Sequence, residues 1–314
     1  MQCFKIALLV ILFAYFNDLK SQGVNKDALF LKPDFNFPYD INKPDKTWKL
    51  PEKLIEISGL GYIDKYRLAC IQDEKGNIYI FNLLTGDVER KIDFEKDGDF
   101  EGIEIVKNDA WVLKSNGTVY RVKNYLNENK DDTEKYPTIL TKKNDAEGIC
   151  YDSASKQLLI CCKGHPFVDD RNGKKFKAVY AFNPKSKLLD LDPYLLINLD
   201  FIKDLKNYNT LTKWGVELLA NLDDAKGDLT FQPSGIAIHP ITRDIYILAA
   251  VGNLLMVYSP EKEIKAIIKL KTKIHPQPEG ICFSPDGTLY ISSEGKEKSG
   301  RISEFKFTPH NNPR

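Results

Sequence analysis

The sequence predicts an all-β protein, a β-propeller of five blades, on three observations. A short phrase occurs five times, at Glu56–Leu60, Asp99–Ile103, Asp145–Ile149, Gln232–Ile236 and Gln277–Ile281. Each copy reads Asp/Glu/Gln, any residue, Glu/Ser, Gly, Ile/Leu. The phrase glycines lie 43, 46, 87 and 45 residues apart, and a fixed period in this range marks a repeat architecture. After each phrase comes a second apolar run that ends at a glycine 15 to 17 residues on, at Gly76, Gly117, Gly164, Gly252 and Gly295. Short β-branched and aromatic runs bounded by Gly, Asn, Pro and Asp are strands, and three to four of them per repeat make a propeller blade.

From the N-terminus, Ile6 to Phe16 is an uninterrupted apolar stretch of 11 residues preceded by Lys5. Spanning a bilayer takes roughly 20 apolar residues, so residues 1–22 are expected to be a secretory signal peptide, with an uncleaved N-terminal anchor as the alternative. Residues 23–45 carry Pro33, Pro38 and Pro44 without periodicity and are expected to be a polar linker. The domain is expected over 46–310, and the last repeat runs out after a third strand at Arg301–Phe307. A strand at 47–50 is expected to supply the missing outer strand and leave no open edge. The double step between the third and fourth phrases has two explanations: a sixth, degenerate blade or an insertion. Phe201, Leu205, Leu211, Trp214 and Leu218 recur at helical spacing. Five blades plus a helical insertion at 201–222 is therefore the reading, and six blades the alternative.

Charge excludes some partners. Lysine and arginine number 45 against 44 aspartates and glutamates, which leaves no basic footprint for nucleic acid. Outside the export segment there are five cysteines, Cys70, Cys150, Cys161, Cys162 and Cys282, each in an apolar run. An odd count argues against a complete disulfide framework and for buried small hydrophobes.

The innermost strand of a blade lines the axis, so the phrase would place Ser58, Glu101, Glu147, Ser234 and Glu279 in a ring at one mouth of the channel. Glu56, Asp99, Asp145, Gln232 and Gln277 would form a second ring. Three glutamates facing one narrow channel repel and need compensation. A hard cation such as Ca²⁺ held by Glu101, Glu147 and Glu279 is one answer. Raised carboxyl pKa values, or hydrogen bonds to backbone and channel water, are the others. The loops after each second strand open on the same face and bring Asp73, Glu74, Lys163, His165 and Glu294 to a candidate ligand pocket. His275, just ahead of the fifth phrase, is expected to reach the mouth, and His239 to lie on the opposite face. No nucleophile elbow, zinc-protease helix or phosphate-cradling loop is present.

The phrases Glu56–Leu60, Asp99–Ile103, Asp145–Ile149 and Gln277–Ile281, with Ser293-Glu294, resemble the SdiA-regulated, YjiK-like proteins of bacterial envelopes over roughly residues 48 to 308. That resemblance implies a five-bladed propeller and an envelope location, and it gives no reaction. The Asp-x-Glu-Gly-Ile pattern is also similar to phytase-like and gluconolactonase-like propellers, which hold calcium on the axis. The asparagines that the lactonase type sets beside its glutamate do not align here.

The expected function is an exported envelope propeller, periplasmic, secreted or membrane-anchored at its N-terminus. It would be a monomer that binds a small molecule or an envelope protein, with an axial calcium site. The alternative is a metal-dependent hydrolase of phosphoesters or lactones, in which a metal-bound water attacks.

Overall fold

A computed structural model of the chain describes residues 27–127, 133–169, 171–204, 231–295 and 299–309. The described residues form five antiparallel sheets arranged as the five blades of a propeller. Blade one is β3 (Ile57–Asp64), β4 (Arg67–Gln72), β5 (Asn77–Asn82) and β6 (Asp87–Asp93). Blade two is β7 (Phe100–Val106), β8 (Asp109–Lys114), β9 (Val119–Val122) and β10 (Thr133–Tyr136). Blade three is β11 (Ala146–Asp152), β12 (Gln157–Cys162) and β13 (Phe176–Asn183), with an outer strand in two pieces, β14 (Leu188–Leu189) and β15 (Leu195–Asn198). Blade four is β16 (Gln232–Ile238), β17 (Ile245–Val251), β18 (Leu254–Tyr258) and β19 (Ile264–Lys269). Blade five is β20 (Pro278–Phe283), β21 (Leu289–Ser293) and β22 (Arg301–Phe305). The only helical pieces among the described residues are a 3₁₀ turn at Glu52–Leu54 and one short helix, α1 (Leu199–Asp204).

The phrase opens the innermost strand of every blade, and the five innermost strands touch in a closed ring. Glycine is required there because the strands meet backbone to backbone. A Cβ on Gly148 would lie 2.8 Å from the Gly235 Cα, and one on Gly59 would lie 3.1 Å from the Gly102 Cα. The contact runs around the ring, Gly59 on Gly102, Gly102 on Gly148, Gly148 on Gly235, and Gly280 back on the Gly59 carbonyl carbon at 3.0 Å. None of these glycines has a positive φ, so close approach and not a turn explains the residue.

Five apolar clusters fill the five spaces between neighbouring blades. Cys150 and Cys161 lie between blades three and four, Cys162 between two and three, and Cys70 and Cys282 between five and one. All five thiols are free and buried.

The chain before the first phrase packs on the ring. Strand β1 (Ala28–Leu31) pairs with β19 as a fifth strand of blade four, and β2 (Lys46–Lys49) pairs with β22 in blade five. Between them Phe37, Tyr39 and Ile41 are buried in the cluster shared by blades four and five. Residues 27–45 are therefore not the linker expected from the sequence. They show no strand period because aromatic side chains inserted between two blades hold them, not a continuous ladder.

The six-bladed alternative does not occur. Blade three, with its split outer strand, takes up the chain as far as α1. The helical insertion expected at 201–222 begins in α1, and its remainder lies outside the described residues.

Candidate functional site at the axial mouth

The phrase face of the ring collects carboxylates because four of the five innermost strands start with them. The axial channel is lined by Ser58, Glu101, Ser234 and Glu279 and by the phrase glycines, and its volume of about 10 Å³ is the room of one water. The two serines act alike. Ser58 Oγ donates to Phe100 O and Ser234 Oγ to Pro278 O, both at 2.7 Å, so each tethers the residue just before the next blade's glutamate. In blade five the Gly280 amide donates to Ser292 Oγ at 2.9 Å.

Glu147 is 3% exposed and makes an ion pair with Lys163, whose Nζ also lies 3.4 Å from Asp145. Glu147 Oε1 has no other partner. Burial works against the Lys163 ammonium, but Glu147 overrides it and raises the lysine pKa. Lys177, on the adjacent strand, donates to the Lys163 carbonyl.

Burial and mutual repulsion act on the other two phrase glutamates. Burial, then the Glu147 charge, raises the Glu101 pKa. Burial raises Glu147 as well, with Lys163 pulling it back. Glu279 is pushed up to about 8 by burial and by Glu147. Gln277 bonds Glu294 across the hairpin of blade five, and Ser115 Oγ bonds Asp99.

Asp73 stands in the loop after β4, beside Glu56, Glu74 and Glu294. Its Oδ1 is buried and has no hydrogen-bond partner among the described residues. Burial and the Glu56 charge push the Asp73 carboxyl up to about 6.

The structure thus sets Asp73 beside Glu56, Glu74 and Glu294, and Glu101, Glu147 and Glu279 within reach of one another and of Lys163, with Glu294 near both groups. His165 is not turned to them. Its Nδ1 meets Phe167 O at 3.0 Å, and Asn144 holds the loop by donating to the carbonyls of His165 and Phe167 at 3.0 and 2.9 Å. His275 is fully buried and bonds Ile41 O at 2.7 Å, away from the mouth it was expected to reach. Among the described residues no three His, Cys, Asp or Glu side chains are already arranged as a metal cage.

Sequence reasoning missed Glu104 further along β7. Its carboxyl accepts from Tyr151 N at 3.0 Å and Ile105 N at 2.9 Å, and burial pushes it up to about 7. The signal was an acidic residue between two isoleucines on an innermost strand. Lys177 was also missed, since only strand pairing shows that it adjoins Lys163.

The chain is similar to solved structures at low identity. Glutaminyl cyclase from Myxococcus xanthus is 10% identical over 85% of this chain and 96% of that one, with a TM-score of 0.53. Aldose sugar dehydrogenase from Streptomyces coelicolor, in its PQQ-bound form, is 11% identical over 84% and 97%, with a TM-score of 0.48. Virginiamycin B lyase from Staphylococcus aureus is 15% identical over 85% and 75%, with a TM-score of 0.41. The cyclase likeness speaks for the fold alone, and the other two carry no argument. No curated protein matches the sequence. The SdiA-regulated family model matches residues 40–296, which take in all five phrases, and the chain belongs to the SdiA-regulated family.

Proposed function

We propose that this chain is an exported cell-envelope propeller that works as a binding module, with its acidic mouth taking a cationic ligand and calcium as the first ion to test. The observation that carries the reading is the Asp73 carboxyl, with a buried oxygen that no group among the described residues satisfies and with Glu56, Glu74 and Glu294 around it. A buried acceptor without a donor costs about 1–3 kcal/mol, and a cation would remove that cost together with the repulsion.

Calcium takes roughly six to eight oxygen ligands, and carboxylates, loop carbonyls and water supply them. The two halves of the mouth differ in fit. At the ring, calcium on Glu101, Glu147 and Glu279 would compete with the Lys163 ammonium for Glu147. On the outer side, Asp73, Glu74 and Glu294 offer carboxylates, and Asp73 has the unsatisfied oxygen. Export through residues 1–22, and membrane association if that segment is retained, belong to the same proposal.

Isothermal titration of the chain from residue 23 with calcium tests it. Saturable binding that Asp73→Asn abolishes supports the reading, and absence of binding rejects a cation site. Metal-dependent turnover of a phosphoester or lactone, lost in Glu101→Gln, would instead favour the hydrolase.

A further inference from the structure

Two of the chain's four histidines border the same short segment, His275 by a hydrogen bond and His239 by packing beside Tyr39. Residues 37–42 run between blades four and five and join β1 to β2. His275 Nε2 meets Ile41 O at 2.7 Å. A carbonyl only accepts, so Nε2 carries the proton and Nδ1 is bare; Nδ1 is buried without a partner. His239 is fully buried with its ring centre 4.7 Å from Phe307, 5.0 Å from Phe283 and 6.3 Å from Tyr39. Its Nδ1 accepts from Thr242 N at 3.0 Å and from Ile241 N at 3.2 Å, so the proton is on Nε2, which again has no partner. Both imidazoles are therefore held neutral by geometry.

A second proton would harm both sites. On His239 it must go to Nδ1, which would break both turn bonds. On His275 it would place a buried charge on Nδ1 with nothing to receive it. The charged groups around them give no relief. Lys265 faces His239, and its own Nζ is taken by Asp244 at 2.7 Å. Arg301 faces His275, and no carboxylate pairs with either ring among the described residues.

We propose that residues 37–42 form an acid-released strap, clamped while His239 and His275 are neutral and freed when they are protonated. Release would withdraw Tyr39, which donates to Gly287 O at 2.6 Å, and Pro38, whose carbonyl accepts from Thr308 N at 3.0 Å. The flanking strands β1 and β2 would then lose their shared connection along the outer edges of blades four and five. Acid would thus loosen one sector and leave blades one to three intact.

Hydrogen exchange on the full chain, corrected for intrinsic rates, tests this between about pH 7.5 and pH 5. A histidine at about 4 when clamped and at 6.5 when free favours release by roughly 30-fold at pH 5. The strap and the Thr308 amide should lose protection by about that factor or more, while β12 keeps its protection. In the variant His239→Asn with His275→Gln, the amide oxygen and nitrogen replace the ring atoms without titrating, and protection should stay constant. Protection that is unchanged in the wild type, or lost equally in the variant, overturns the proposal. If the variant does not fold, imidazole titration of the wild type by NMR decides. Both rings must titrate together with loss of the strap, and titration with the strap still protected overturns it.

Discussion

The Lys163 ammonium rests on the Glu147 carboxylate at the inner edge of the mouth and so neutralises one of the three phrase glutamates. Glu147 is buried and Lys163 is 35% exposed along its side chain, so the pair is half desolvated. Removing one partner of a fully buried pair costs about 3–5 kcal/mol, and a half-exposed lysine costs less. Lys163→Met should destabilise the domain by about 2 kcal/mol at neutral pH, with the loss shrinking in acid as Glu147 protonates. Urea unfolding at two pH values checks this, and a loss that is the same in acid would contradict it.

The ring carboxyls set the alkaline side of stability. Glu279 moves from its ordinary 4.5 to about 8 on folding, so the folded state holds the proton more tightly. Its contribution is complete below about pH 4.5 and disappears as pH rises toward 8. Histidines His239 and His275, with folded values near 4 against 6.5, act in the opposite sense and withdraw stability as pH falls from 6.5. The melting midpoint should therefore peak in weak acid. Glu279→Gln should flatten the fall between pH 6 and 9, where each kcal/mol corresponds to about 2–4 °C.

The axis tolerates no side chain at the phrase glycines. Gly148→Ala would set a methyl 2.8 Å from the Gly235 Cα and 2.9 Å from Ile236 N, and both neighbours are backbone. The expected cost is about 3 kcal/mol or more, because the ring must open to accept it. A Gly86→Ala control, at a blade-one hairpin, meets only Trp48 at 3.4 Å and pays instead for its positive φ of 76°, about 1 kcal/mol. Equal losses at the two sites would contradict the close-approach account.

The N-terminal strap should be needed for cooperative folding. A chain that starts at residue 46 lacks β1 and uncovers the cluster between blades four and five, where Phe37, Tyr39 and Ile41 are buried. It should melt lower and more broadly than the chain from residue 23. Tyr39→Phe, which removes only the bond to Gly287 O, should cost about 1 kcal/mol.

The blades were legible in the sequence because each one is written out in full: phrase, alternating strand, turn, glycine. The phrase glycine announced the close approach at the axis, and the glutamates beside it announced the acidic ring. The strap was not legible. Phe37, Tyr39 and Ile41 are buried by two blades that lie far along the chain, from Ala237 onward, and no local period records that contact. The role of His275 was hidden for the same reason, since its partner is Ile41 and not the phrase it precedes. His165 was read as a pocket residue from its place after a second strand, but its ring is spent on its own loop.

The thermal midpoint of residues 23–314 in EDTA and in millimolar calcium tests the binding account most directly. A ligand at a hundred times its dissociation constant stabilises the folded state by about 2.7 kcal/mol. The account predicts a rise of several degrees that Asp73→Asn removes, while the triple change Glu101→Gln, Glu147→Gln and Glu279→Gln shows whether the inner ring contributes. A midpoint indifferent to calcium in the wild type would contradict the cation site.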